Sequence, residues 1–160
     1  MEVMNIKGKK IGCVKDLIID FNLKLVKGFV ISSYKIFNKD ISVYHEDIIS
    51  FNSNMIIMDH KKHISLKLST IKNMDVINKS GEIIGMVEDI IFNRENFTIK
   101  GIVVSTGFTR NFIYGKVIIL LDNLILGEKN LYCFDENSKI RLLSVPHKLI
   151  LEDDCNEKDI

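Results

Sequence analysis

The chain has 160 residues, 46% of them hydrophobic and 27% charged, enough for one ordinary domain or two very small ones. Lys and Arg number 22 against 21 Asp and Glu, and a net charge of +1 argues against a dedicated nucleic-acid binder, which needs a clear cationic excess. The 27 Ile and 11 Val, with no Ala, Gln or Trp, argue against a helical bundle and point to a β protein.

Residues 11–20 and 25–33 are β-rich segments parted by the polar stretch Phe21-Asn22-Leu23-Lys24, the pattern of a hairpin. A shorter strand is expected over 41–44, a helical turn over 46–49 that an acid could cap, and a closing strand over 55–59. The series then recurs. Strands are expected over 83–93 and 97–105 around Arg94-Glu95-Asn96, then over 116–119, with a helical turn over 122–125 and a last strand over 131–135.

This recurrence is a duplication. Residues 8–32 align without a gap onto residues 81–105, an offset of 73, and ten of the 25 positions are identical. Beyond them the offset becomes 76, because the connection 106–115 is three residues longer than its counterpart 33–39. A length difference confined to one connection is what a surface loop tolerates. Apolar residues do not alternate in Leu17-Ile18-Ile19 or Ile90-Ile91-Phe92, so both faces must be covered, as in a small closed barrel packed on a sister barrel. The expected organisation is all-β: one unit over 1–70, a second over 71–136, and a C-terminal extension over 137–160. That extension holds the only proline, Pro146, and ends in an acidic, charge-dense run that predicts disorder. No apolar run approaches the roughly 20 residues that cross a bilayer, and the N-terminus lacks a secretory pattern. Cys13, Cys133 and Cys155 are too sparse for a disulfide framework, which suits reduced thiols and a cytoplasmic location.

The pattern Gly-x-x-Ile-Gly-x-Val-x-Asp-hydrophobic-Ile, a polar turn, then Lys-Gly-x-Val resembles the PRC-barrel domain, and the copy from Gly81 through Lys100-Gly101-Ile102-Val103-Val104 matches it better. The resemblance implies a tandem pair of small β-barrels of the kind found in bacteria, used as an interaction module. Similar barrels occur in the H subunit of purple-bacterial reaction centres and in a ribosome-maturation factor.

Each candidate residue has a counterpart in the other copy as an internal control. Gly12, Gly28, Gly85 and Gly101 fit neither a dinucleotide-binding nor a P-loop spacing, so close backbone approach or a bulge accounts for them better. Asp16 and Asp89 have no base or metal ligand near them in sequence and read as acceptors that pin a bend. Cys13 and Cys133 sit in predicted strands and read as buried hydrophobes. His60-Lys61-Lys62-His63 reads as a solvated turn rather than a metal site, and Lys7, Lys9 and Lys10 form a second small basic patch. The binding candidates are Phe108, Arg110, Phe112 and Tyr114, with Tyr34 and Phe37 in the matching connection, because aromatics and Arg dominate interface hot spots. The expected function is therefore a non-catalytic adaptor that binds a protein partner through these loops, with no metal or cofactor. The alternative is association with RNA or the ribosome through the lysine patches, and the sequence also leaves room for a homodimer.

Overall fold

The two stretches matched at the offset of 73 form the same long hairpin in each half of the chain. The computed structural model describes residues 1–34, 40–60, 66–135 and 139–142. The first unit contains β1 (Glu2–Asn5), β2 (Lys10–Asp20), β3 (Leu25–Ser33) and β4 (Ile41–Tyr44). A 3-10 turn at His45–Asp47 then leads to β5 (Ile48–Phe51) and β6 (Met55–Ile57). A short helix, α1 (Leu68–Ile71), connects to the second unit, which begins with β7 (Asp75–Ile77), β8 (Ile83–Phe92) and β9 (Ile99–Ser105). There follow α2 (Phe108–Tyr114), β10 (Lys116–Leu120), a 3-10 turn at Leu121–Asn123, β11 (Leu124–Leu126), β12 (Asn130–Cys133) and β13 (Ile140–Leu142).

Strand order is β4-β3-β2-β1-β6-β5 in the first sheet and β11-β12-β7-β8-β9-β10-β13 in the second, the same arrangement with one added edge strand. In each unit the opening strand pairs antiparallel with the hairpin and parallel with the closing strand, as β1 does with β2 and β6. Phe29 on β3 and Phe51 on β5 lie far apart in strand order, yet their ring centroids are 5.1 Å apart. The sheet has therefore curled on itself around its apolar face. Among the described residues no helix is long and apolar enough to cross a membrane.

Several local expectations need correction. β1 and β7 were not expected at all. The helical turns end at Asp47 and Asn123, and neither is capped by a side chain, because the residues after them pair as β5 and β11. The connection over 106–115, expected to be a loop, contains α2. The acidic end of the extension lies outside the described residues.

A β-bulge interrupts both hairpins at equivalent places, after Val14 and after Val87, so Lys15 and Glu88 fall outside the ladder. Each then reaches past the hairpin to the start of the next strand: Lys15 Nζ lies 2.7 Å from Oδ2 of Asp40, just before β4, and Glu88 pairs with Lys116, the first residue of β10. The two ion pairs occupy equivalent positions with their charges exchanged. Both are largely solvated, so each should contribute only about 0.5 kcal/mol. Lys15→Glu should lower thermal stability slightly by facing Asp40 with a like charge, and adding Asp40→Lys should restore it. A thermal melt in low salt checks this.

The units share one core running from Val3 to Cys133. Their junction is nearly two-fold. Val26 N–H donates to Phe97 O at 2.9 Å, and Ile99 N–H donates to Lys24 O at 2.7 Å, so each bond is the other shifted by the repeat offset. Between them Leu25 bridges Thr98, its own counterpart. Lys24 and Phe97 both have a left-handed backbone, at φ 56° and 57°. α1 is held from both sides: Asp16 Oδ1 accepts from Ser69 N–H at 3.2 Å, and Lys72 Nζ lies 3.8 Å from Asp89 Oδ1. Each aspartate also accepts the next residue's N–H beside its bulge, at 2.8 Å from Leu17 and 2.9 Å from Ile90.

Candidate binding clefts at the open ends of the two units

Gly12 and Gly85 stand where β2 and β8 press against the ends of β3 and β9. A Cβ on Gly12 would lie 2.0 Å from Ser32 O, and on Gly85 2.3 Å from Ser105 O. On Gly28 it would lie 2.2 Å from Val43 O, and on Gly101 2.8 Å from Ile119 O. These glycines bring strands close together and leave the surface to the connections beyond them.

In the second unit that connection is α2. Asn111 ties it to the end of β9: its Oδ1 accepts from Thr106 N–H and Oγ1 at 2.9 and 3.0 Å, and its Nδ2 donates to Ser105 Oγ at 2.7 Å. The helix therefore sits fixed at the rim of a cavity of 510 Å³ lined by Met86, Glu88, Ser105, Phe108, Asn111 and Lys116, among others. Phe108 is 89% exposed at this rim, and Met86 is 47% exposed on its wall. Arg110 is exposed on the same helix. Phe112 and Tyr114 belong to α2. Met86 was not singled out by sequence, since its strand position looked like core. Its weak signal is that it aligns with Cys13, which is only half-buried rather than the core residue expected, whereas Cys133 is buried.

In the first unit the equivalent end carries Tyr34 and Cys13. Tyr34, 51% exposed, has its Oη 2.9 Å from Cys13 Sγ and 3.4 Å from Glu2 Oε1. The hydrogen bond with the Cys13 thiol, aided by the nearby Glu2 charge, pushes the Tyr34 phenol up to about 12. Lys10 Nζ contacts Glu2 Oε1 at 2.9 Å, and this hydrogen bond holds the Glu2 carboxyl below its usual range. A cavity of 290 Å³ opens here, lined by Asn5, Lys9, Lys10, Ile11, Tyr34 and His60 among others. Phe37, Lys61, Lys62 and His63 lie outside the described residues.

The structure thus sets Phe108 and Arg110 on one helix and Tyr34 at the matching end of the other unit. These ends are separate clefts: the second unit's sets Phe108 and Met86 beside Glu88, Asn111 and Lys116, and the first unit's sets Tyr34 and Ile11 beside Asn5, Lys9 and Lys10. No curated protein matches the chain. The family model for the PRC-barrel domain, however, matches it twice, over residues 1–64 and 63–140, in register with the two sheets. Two open-ended β units of the same strand order, each covered by its own match, place the chain in the PRC-barrel family as a tandem pair.

Proposed function

We propose that this tandem PRC-barrel chain is a non-catalytic cytoplasmic adaptor that binds a protein partner through the α2 cleft of its second unit. The observation that carries this reading is Phe108, held 89% exposed at the rim of a cavity walled by Met86. Leaving a Phe ring in water forgoes about 2 kcal/mol that a partner's apolar side chain would recover. Asn111 keeps the helix in place before any partner arrives, so little ordering entropy is spent on binding. Arg110, exposed on the same helix, adds a cation, and Arg is enriched among hot-spot residues. The groups a catalyst would need have other duties: Asp16 and Asp89 hold α1, and Glu88 is paired with Lys116.

The test is capture of partners from native lysate on the full chain, with and without ribonuclease, read by mass spectrometry. Discrete proteins that survive ribonuclease and disappear with Phe108→Ala/Arg110→Ala are expected. The loss should be at least about 30-fold in affinity for a captured partner, the size of a hot-spot truncation. The variant should melt like the parent, since both side chains face solvent. An unchanged partner set would sink the α2 assignment, and ribosomal proteins lost on ribonuclease treatment would favour the RNA reading.

A further inference from the structure

The first unit's cleft carries a lysine, Lys9, that is unpaired among the described residues, where the second unit's carries Lys116 paired with Glu88. It is built on a turn that the chain contains twice. Asn5 Oδ1 accepts from Lys7 N–H at 3.0 Å and Lys9 N–H at 2.9 Å, while Asn5 N–H donates to Lys9 O and Gly8 N–H to Asn5 O. Asn78 makes the same four bonds with Ser80, Glu82 and Gly81. Gly8 and Gly81 sit at φ 73° and 80°, where a side chain would be strained. The scaffold is the same and the display is not. Where the first turn carries Lys9 and Lys10, the second carries Glu82 and Ile83. The barrel therefore folds without these lysines.

The parallel pairing of β1 with β6 sends both chains out at the same end, Asn5 beside Ile57. His60 thereby lines the same 290 Å³ cavity as Lys9 and Lys10, although about 50 residues separate them in sequence. Among the polar groups lining this cavity, the Lys9 ammonium and the Asn5 amide, whose oxygen is already used, are donors, while Lys10 and the Tyr34 hydroxyl already donate to Glu2. The local acids each have a partner, Glu2 in Lys10, Asp40 in Lys15, and Asp59 in the backbone N–H of His60. Lys7 and Lys9 form no ion pair among the described residues. Tyr34 stays a neutral phenol across the physiological range.

A surplus cation, Lys9, beside the Asn5 amide donor calls for a ligand that carries acceptors. We infer that this cleft binds a phosphate monoester, with Lys9 as the charged contact, His60 opposite it and the Tyr34 ring as the wall for the ester group. The observations favour a small ligand over an RNA strand. The cavity is near the lower end of ligand-site volumes, and it has one described aromatic wall rather than a groove with a series of stacking platforms.

The test titrates the full, isotope-labelled chain with inorganic phosphate, with phenyl phosphate and with a single-stranded oligouridylate, at constant ionic strength. Amide shifts at Lys7, Lys9, Tyr34 and His60 are expected with both small phosphates, with the phenyl ester binding tighter. Lys9→Glu/Lys10→Ile, which copies the second turn into the first, should weaken phenyl phosphate at least about tenfold without changing the melt. Lys9→Gln should do the same to a lesser degree, and serves if the double variant folds poorly. The proposal is overturned if the small phosphates move no amide in this cleft. It is equally overturned if the double variant, shown to be folded, binds like the parent, or if only the oligouridylate binds.

Discussion

Gly12→Ala and Gly28→Ala should each cost about 3 kcal/mol or more of folding free energy, lowering the melting temperature by roughly 10 °C. The reason is steric and involves backbone rather than a side chain that can rotate away. The new methyl carbon would be 2.0 Å from Ser32 O at the first site and 2.2 Å from Val43 O at the second. Relief requires the strands to separate, and that breaks ladder bonds on both sides of the glycine, β2 with β3 and β3 with β4. Gly101→Ala, with its nearest backbone oxygen at 2.8 Å, should cost distinctly less. Gly8→Ala provides the contrast. Nothing lies within 4 Å of a Cβ there, so only the left-handed backbone opposes it, at about 1 kcal/mol. Equal losses at Gly8 and Gly12 in denaturant unfolding would show that turn strain, and not strand approach, keeps these glycines.

The hairpins could be read from sequence because they are long, rich in β-branched residues and present twice. Their repeat offset also marks the glycines at which strands approach. β1 and β7 left almost no trace. Each has three or four residues with one inward side chain, Val3 or Val76, and their parallel partners β6 and β12 lie about 50 residues away. A run so short carries no periodicity. β5 and β11 were missed for a related reason: a three-residue turn and a three- or four-residue strand follow each other without a Gly or Pro between them. At the candidate site, composition sufficed to pick out Phe108 and Arg110 but could not reveal the cleft. Met86 reads as strand core, and the bulge near Glu88 decides which face it shows. The cationic cleft was written as two separate patches, and only the β1–β6 pairing brings Lys9 and His60 together.

Phe97→Ala should destabilise both units together, by about 3 kcal/mol, although the residue belongs to the second unit and is only half-buried. Its ring sits in the junction. The centroid of Phe51 is 5.5 Å away, that of Phe29 6.0 Å, and those of Phe92 and His45 6.4 Å each, so three of these four rings belong to the first unit. Arg94, from the same hairpin tip, donates from Nε to Phe51 O at 2.9 Å and lies over the Phe51 ring at 5.4 Å. Phe97 occupies a left-handed position, a strained choice for a bulky residue, and that backbone places its ring among the first unit's aromatics. Truncation leaves the strain of a non-glycine residue and removes the packing that offsets it. Because the core is continuous from Val3 to Cys133, the resulting cavity has no boundary at the domain junction. Hydrogen exchange measures this directly. Amides of β2–β3 and of β8–β9 should lose protection by the same free energy in the variant, as expected of a single cooperative unit. Loss confined to β8–β9 would mean that the barrels fold independently, and that their two-fold bridge is a contact between finished domains.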